Sequence, residues 1–458
     1  MDRSLARIDR RLTGAGVVTY HRRAVIRTVC VFVVACCVLV AGCEQTTHAS
    51  IAKWETSKKG PEKLRRTLTD RGLDPDLSAH AAEVLIRKLE DEYVRTTLAA
   101  MAAERREKVV AKLAPRLWDM ARLEGEMAQP TQRQQMGKDA LYDIRAWADA
   151  ATRDVIDGYL TDWLTGGYYE GRAEAGRHTG VQILRALGRR AGERLIAEAN
   201  RIIAAPDQAG KRRKIGDQLL LGLAVSGSPD AVKLVLDIYA MDRGDETLPA
   251  RAMSALYRAY LDTAGQYALA DPAALVPHVA RLAEIAKDDG NRAQIANDAV
   301  ALIRAAGLPH CLEPLLGMIN HRHRDPRFLW VGVNNALRCG GAAALERVAA
   351  AIPTTGTYEH EVIGGAVWGT FASLGQRDEF IAAARGMLAS KSWVGRWIAI
   401  ETLGVLAVKG DADRLAALAS DPARLTGYWG DQSQLPKRER KLEPTVGQRA
   451  GEIAQSLR

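Results

Sequence analysis

The amino-acid sequence predicts an all-α protein, an α-solenoid (superhelix) of stacked antiparallel helix pairs. Ala, Leu, Arg and Glu are abundant, aromatic residues make up only 5% of the chain, and no alternation of β-branched residues indicates a strand. Glycines that follow apolar helical stretches recur at intervals of 34 to 42 residues. The stretches before them are apolar around most of the helix, so they must be covered on several sides, as stacking provides.

The recurring glycines predict the turns between paired helices. A helix ends most easily in the left-handed conformation, which a residue without a Cβ adopts at least cost. Start signals follow at once, as where Ser228 and Pro229 after Gly227 offer a cap and a first-turn proline. Each unit is therefore predicted to be a helix, a tight turn and a second helix. The glycines are Gly188, Gly227, Gly265, Gly307, Gly341, Gly375 and Gly410.

Residues 392–420 show the unit most clearly. Their first helix is apolar on most sides, and Leu415 and Leu418 share one face of the second. The pattern resembles short bacterial HEAT-like repeats, and the resemblance implies a HEAT/armadillo-like solenoid rather than an activity. Related units recur between residues 180 and 388. The matching residues are Arg396, Ala399, Leu403, Gly404, Gly410, Asp411, Leu415 and Leu418.

The N-terminus carries a targeting signal. A basic segment precedes the apolar run 29–40, and residues 39–43 (Leu-Val-Ala-Gly-Cys) follow. This arrangement resembles the lipobox of bacterial lipoproteins. The resemblance implies that residues 1–42 are removed and that Cys43 carries acyl chains, each buried methylene contributing about 0.8 kcal/mol to membrane anchoring.

An uncleaved transmembrane helix is the alternative for this signal, because residues 24–42 could nearly span a bilayer. Arg27 shortens the uncharged stretch, and no basic stop-transfer cluster follows Cys43.

Residues 1–42 hold seven Arg and two Asp, so of the net charge of +9 only +4 belongs to the remaining 416 residues. That modest excess argues against nucleic acid as a partner.

Two of the six cysteines are left after the signal and Cys43 are set aside, namely Cys311 and Cys339. An exported protein can join such a pair in a disulfide. The bond requires Cα atoms within about 7 Å. The alternative is two small buried side chains that behave as apolar groups.

The predicted order along the chain follows from these features. It is a signal peptide (residues 1–42), a short tether (43–56), an N-terminal helical region of irregular repeats or a cap (57–170), a HEAT-like repeat array (171–420), a polar loop insertion (421–445) and a C-terminal capping helix (446–458).

No catalytic motif is found, whether of a metalloprotease, an α/β-hydrolase, a P-loop or a dinucleotide fold. The sequence therefore assigns no catalytic residue and no small-molecule cofactor.

The best candidates for metal ligands are the soft donors His310, Cys311, His321 and His323. An intervening helix would separate the first two from the last two by about 15 Å, so no metal is expected. The basic run 211–214 is a solvated helix end or, alternatively, a contact for an acidic partner or anionic lipid.

Four tryptophans fall in three successive first helices and are candidates for partner binding. Aromatic residues dominate protein-binding hot spots, although packing between repeats is the alternative use. They are Trp330, Trp368, Trp393 and Trp397.

The function predicted from the sequence is that of a non-catalytic scaffold. The chain would be anchored through Cys43, at the outer membrane facing the periplasm or else at the cell surface, and would bind an unknown envelope protein. An enzyme or enzyme subunit acting on envelope polymers, and a self-associating structural protein, are the alternatives.

Overall fold

The computed structural model describes residues 45–122, 129–165, 169–205, 215–241, 245–262, 269–288, 290–321, 326–354, 360–430 and 432–458. The predicted signal, Cys43, Gly265 and the basic run 211–214 lie outside the described residues. The chain divides into two compact units, Met1–Met120 with Asp143–Arg153, and Ala121–Tyr142 with Asp154–Arg458. Within the described ranges the chain is helical, and its β structure is confined to isolated bridges such as that between Arg424 and Thr445.

The first unit is built from short helices that pack on one another. α1 contacts α2 and α3, and α3 contacts α4. The helices are α1 (His48–Thr56), α2 (Gly60–Thr69), α3 (Pro75–Arg87), α4 (Asp91–Ala100) and α5 (Ala103–Ala121).

Helix α1 corrects the prediction of a tether over residues 43–56. Thr47 and Ser50 form a capping box in which each side chain accepts from the backbone of the other. Ile51 and Trp54, three residues apart on one face, are both buried. The cap and this apolar face together make the segment helical from His48 onward.

The rest of the chain continues the helical series. Its members are α6 (Gln132–Ile144), α7 (Ala150–Thr165), α8 (Tyr169–Ala173), α9 (Gly180–Leu187), α10 (Arg189–Ala204), α11 (Asp217–Val225), α12 (Pro229–Tyr239), α13 (Leu248–Tyr260), α14 (Val279–Lys287), α15 (Ala293–Ala305), α16 (Leu312–His321), α17 (Pro326–Gly340), α18 (Leu345–Ala351), α19 (His360–Leu374), α20 (Arg377–Met387), α21 (Trp393–Val405), α22 (Ala412–Ala416) and α23 (Val446–Leu457).

From α9 onward the second unit is a two-layered ladder. Each odd-numbered helix contacts the next odd-numbered one, from α9 to α23, and these form the first layer. The even-numbered helices do the same from α10 to α20, with the 3-10 helix Pro272–His278 between α12 and α14. Helices thus contact their neighbours within a layer, and most also contact a helix of the other layer, which confirms the predicted α-solenoid of stacked helix pairs.

Most of the predicted glycine turns have the expected backbone. Gly188, Gly227, Gly307, Gly341 and Gly375 have φ between +60° and +72°, where a Cβ would be strained. The end of α21 differs from the prediction. There Ala407 takes the left-handed conformation, with φ of +49°, and Gly410 lies in the 3-10 helix Lys409–Asp411.

The predicted loop insertion, residues 421–445, closes on itself at its base. Arg424 and Thr445 form an antiparallel bridge, and the Leu425 amide donates to the Pro444 carbonyl at 2.9 Å. Leu425 and Tyr428 are buried. The base of this loop is therefore part of the packed array, and α23 begins directly after it with a capping box at Thr445.

Candidate functional site

Trp330 and Trp368, two of the predicted partner-binding residues, lie on helices of the first layer. We call the solvent-facing side of α13, α15, α17 and α19 the first-layer face. Helix periodicity creates it, as α17 shows. Leu329, Val333 and Leu337 are buried against the array, whereas Trp330 and Arg338 are exposed.

Two of the four predicted tryptophans lie on this face. Trp330 is 44% exposed and Trp368 is 54% exposed. A Cβ added at Gly365 of α19 would lie 3.4 Å from the Trp330 Nε1 atom, so the Trp330 indole reaches across to the next helix. Trp368 lies one turn further along α19 and contacts the Phe371 ring at 5.9 Å between centroids. The two indoles thus belong to one exposed aromatic surface.

Trp397 packs in the core instead, which corrects its assignment to a partner-binding surface. It is 1% exposed, and its Nε1 donates to the Glu401 carboxylate at 3.0 Å. Its ring contacts Trp393 and Tyr428, at 6.1 and 6.0 Å between centroids. Trp393 is partly exposed. Helix α21 differs from α17 and α19 because Tyr428 of the 421–445 loop lies against its Trp397 ring.

The Glu401 carboxylate, although buried, has a structural role. Arg449 donates to its two oxygens at 2.7 and 3.0 Å, so the charge is paired and its oxygens are satisfied. The hydrogen bond with Glu401 raises the pKa of Arg449 further above its usual value. Burial raises the pKa of the neighbouring Tyr428 to about 12. The cluster holds α23 against α21.

Lys138 is a second buried cation with its hydrogen bonds filled. Its Nζ donates to the carbonyls of Ala175 and His178 at 2.6 and 2.5 Å and pairs with Asp139 at 2.6 Å. Asp139 in turn accepts from the amides of Arg177 and His178. Three acceptors match the three donors of an ammonium group. The pair therefore fixes the turn that leads into α9.

Three arginines that sequence reasoning missed also lie on the first-layer face. Arg258, Arg304 and Arg338 lie near the ends of α13, α15 and α17, and none has an ion pair within the described part of the chain. The sequence gives one signal for two of these arginines, namely that Arg304 and Arg338 each precede a turn glycine by three residues.

Arg304 is the most enclosed of these arginines. Burial, followed by the positive charge of Arg338, lowers its pKa below the usual value. Its Nε is buried and has no hydrogen-bond acceptor. Like charges that lie close together repel, and burial strengthens the effect. The first-layer face is thus electropositive around Arg304.

A cleft of about 480 Å³ extends the face toward α11. Asp217, Arg251, Tyr257, Arg258 and Asp298 are among the residues that line it. Asp217 accepts from the Arg251 Nε at 2.5 Å. Burial raises the pKa of Asp298 above its usual range, although Gln294 donates to its carboxylate at 2.7 Å. The cleft thus holds one neutralised carboxylate and one carboxyl group that retains its proton to higher pH.

The structure joins Cys311 and Cys339 by a disulfide, with Cα atoms 6.3 Å apart. Cys311 directly precedes α16 and Cys339 lies at the end of α17, so the bond links two neighbouring helix pairs. The Cys311 sulfur is therefore not a free donor for a metal, and His323 lies outside the described residues. No group of three His, Cys, Asp or Glu residues suited to a metal is found in the part of the chain that is described.

The first unit contains a histidine pair that the sequence did not reveal. The His48 Nε2 pairs with Asp76 at 3.0 Å, and its Nδ1 lies 2.9 Å from the Nδ1 of His80. The pKa of His80 is lowered to about 4, first by burial and then by the charge of Arg116. His80 therefore stays neutral at a pH at which a histidine is usually protonated. Its contact with His48 links α3 to α1.

The comparisons with known proteins add little to this geometry. No family model matches the sequence, and no curated protein matches it. Among solved structures, human deoxyhypusine hydroxylase in complex with glycerol is similar, with 15% sequence identity and a TM-score of 0.21. The match covers 76% of this chain and 96% of that one. A likeness this weak supports no statement about function. No helix among the described ranges is long and apolar enough to cross a membrane.

Proposed function

We propose that the protein is a lipid-anchored envelope protein that acts as a non-catalytic scaffold and binds another protein on its first-layer face. One observation carries the proposal, namely that the indoles of Trp330 and Trp368 are about half exposed on neighbouring helices. Large apolar side chains gain about 1.5–3 kcal/mol on full burial. Tryptophans are also enriched among the residues that dominate binding energy at protein interfaces.

The anchor is supported by the lipobox-like sequence that ends at Cys43. Helix α1 begins at His48, and five extended residues reach at most about 17 Å. The proposal therefore implies that α1 stays close to the bilayer surface. A Cys43→Ser variant should lose its acyl chains and leave the membrane fraction. Retention of the variant in membranes, with unchanged processing, would contradict the anchor.

Export is supported by the Cys311–Cys339 disulfide, because such bonds persist in oxidising compartments and are rare in the cytosol. We propose the outer membrane, facing the periplasm, as the location. Protease added to intact cells should leave the protein whole and should cleave it after the outer membrane is permeabilised. Cleavage in intact cells would place it at the cell surface.

Photocrosslinking in cells tests the scaffold role. A benzoylphenylalanine placed at residue 368 should capture a partner, which mass spectrometry identifies. The matched control is the same residue at Glu284, which is exposed on α14 in the other layer. Equal capture from both positions would contradict a specific face. Capture of the chain by itself alone would favour a self-associating structural protein.

Alanine variants give the affinity arm of the test. Trp330→Ala and Trp368→Ala should each cost about 2 kcal/mol, or roughly 30-fold in partner affinity, if they are hot spots. Circular dichroism and urea unfolding should stay close to wild type because both side chains are exposed. A variant that unfolds would instead assign the tryptophan to packing.

An enzyme acting on envelope polymers is the second candidate, and the cleft beside Asp298 is the observation that favours it. A carboxyl group of raised pKa can act as a general acid. Asp298→Asn should then abolish cleavage of purified envelope polymers by the wild-type protein. No cleavage by the wild-type protein would leave the scaffold as the better function.

A further inference from the structure

The cleft between α13 and α15 contains a buried carboxyl group without a counter-charge. Asp298 is 5% exposed and lines the cleft. The amide of Gln294, one helical turn earlier on the same face of α15, donates to the Asp298 Oδ1 atom at 2.7 Å. Within the described part of the chain, no other group donates to this carboxylate and no Lys or Arg pairs with it. The Oδ2 atom is therefore left for a ligand.

Four other buried carboxyl groups differ from Asp298 because each is paired with a cation. In each of them a Lys or Arg nitrogen lies 2.6 to 2.8 Å from a carboxylate oxygen. An ionised group in the interior is costly unless it is paired, and burial accordingly raises the pKa of Asp298. A bound cation would remove this cost. The four paired groups are Asp139, Glu198, Glu401 and Asp411.

The charged groups around the cleft favour a cation as its ligand. Arg251 lies between two carboxylates, that of Asp217 at 2.5 Å and that of Asp245 at 3.0 Å, so its charge is more than balanced. Arg258 also lines the cleft and is exposed. Together with Asp298, these groups are three carboxylates and two guanidinium groups, which give a net charge of −1 when all are ionised.

The walls of the cleft also offer apolar surface. Tyr257 is 38% exposed and lines the cleft with Ser254, which lies one turn earlier on α13. Ile295 of α15 lines it as well. The face of an aromatic ring attracts a cation, and apolar walls cover the methylene groups of a long charged side chain. The cleft therefore suits a ligand with an apolar stem and a cationic end.

We propose that this cleft binds the ammonium group of a lysine side chain of the partner protein, with the ammonium on Asp298 and the lysine stem against Tyr257. The inference rests on the proposed function and names the chemistry of the partner. The cleft volume of about 480 Å³ lies within the range of ligand sites. Because α15 contacts α17, on which Trp330 is exposed, one partner can cover both the cleft and the tryptophan.

An ammonium group fits this carboxylate better than a guanidinium group does. A guanidinium forms its strongest pair through two parallel hydrogen bonds to both carboxylate oxygens. Gln294 already occupies the Oδ1 atom of Asp298. An ammonium group is a compact point charge that needs only one oxygen of the carboxylate. The side-chain oxygens of Ser254 and Gln294 supply further acceptors in the same cleft.

The binding test uses residues 43–458 with Cys43→Ser, in which the isoleucine δ1 methyl groups carry a carbon-13 label for NMR. Ile295 reports on the cleft because it lines it, and Ile295→Val assigns its signal. The probes are the blocked tripeptide Ala-Lys-Ala and its analogues with norleucine or arginine in place of lysine. We expect a saturable shift of the Ile295 signal with the lysine tripeptide, weaker binding of the arginine tripeptide and no binding of the norleucine tripeptide.

The variant Asp298→Asn separates a binding role from a structural one. Asparagine keeps an acceptor for Gln294 but removes the charge, so binding of the lysine tripeptide should weaken by about tenfold or more. The variant should unfold in urea no more easily than wild type, because the unpaired buried charge is gone. The matched control is Asp378→Asn, an exposed acid on α20 in the other layer. The control should leave binding of the lysine tripeptide unchanged.

Photocrosslinking in cells tests whether the lysine belongs to the partner, since free polyamines and some phospholipids also carry ammonium groups. Benzoylphenylalanine at residue 254, an exposed position of the cleft, should capture the same protein as at residue 368. Asp298→Asn should reduce that capture. A partner captured from residue 368 but never from residue 254 would overturn the assignment to a partner lysine. It would leave the scaffold role intact.

Other results would also overturn the inference. They are the lack of a saturable Ile295 shift up to about 50 mM lysine tripeptide, equal binding of the lysine and norleucine tripeptides, tighter binding of the arginine tripeptide, and a loss of urea stability in Asp298→Asn. The scaffold role fails separately, if residue 368 and residue 284 capture proteins equally. A partner that wild type and Asp298→Asn capture equally from residue 254 keeps the scaffold and rejects the lysine site.

Discussion

Removal of the Cys311–Cys339 disulfide should destabilise the repeats that it joins by about 3.6 kcal/mol. The bond closes a loop with a sequence separation of 28 residues. A cross-link over that length lowers the entropy of the unfolded chain by about 12 cal/mol/K, which is about 3.6 kcal/mol at 25 °C. We expect the double variant Cys311→Ala/Cys339→Ala and the reduced wild type to show the same loss.

The loss should be local, because each helix of a stacked array contacts only its neighbours. Hydrogen exchange followed by mass spectrometry can resolve it. Amides of α16 and α17 should exchange faster in the reduced protein, whereas those of α11 should change little. Reductant should have no further effect on the double variant. A difference below about 1 kcal/mol, or one spread evenly over all helices, would refute the loop-closure argument.

Three further predictions concern buried charge. Lys138→Met should cost about 3–5 kcal/mol and release the 175–178 turn to proteases, because the carboxylate and carbonyls around its Nζ lose their donor. Arg449→Met should cost about as much by leaving the Glu401 carboxylate buried and unpaired, and adding Glu401→Gln should recover part of the urea stability. His80 is neutral in the folded protein, whereas the unfolded chain binds a proton at this residue below pH 6.5. The free energy of unfolding should therefore fall as the pH drops from 6.5 toward 4. His80→Asn should flatten that pH profile in urea titrations, and an unchanged profile would place the effect elsewhere.

The helix pairs and most turns were predictable because their cause is local. A glycine at the left-handed end of a helix, such as Gly307 or Gly341, has a signal that needs no tertiary information. Ala407 carries no such local signal. A residue with a Cβ takes the left-handed conformation only when the surrounding packing compensates for the conformational cost. Thr47 and Ser50 did carry a local signal, and a capping box there could have identified α1.

The surface was only partly predictable because exposure depends on neighbouring elements. Trp368 and Trp397 both occur in strongly apolar first helices, and their own sequence gives no reason to separate them. The difference comes from the 421–445 loop, whose Tyr428 lies against Trp397, whereas Trp368 is left exposed. The pair Arg304 and Arg338 is a stronger case, because these arginines are 34 residues apart in sequence and come near one another only through stacking.

The closed base of the 421–445 loop has a practical use. The chain departs and comes back at the same place, where Arg424 meets Thr445, while Leu435 near the tip is open to solvent. An epitope or small fluorescent reporter spliced in beside Leu435 would thus hang outside the folded array and leave both chain ends untouched. Such a fusion would let the protein be followed in living cells without tagging the terminus that is expected to be processed.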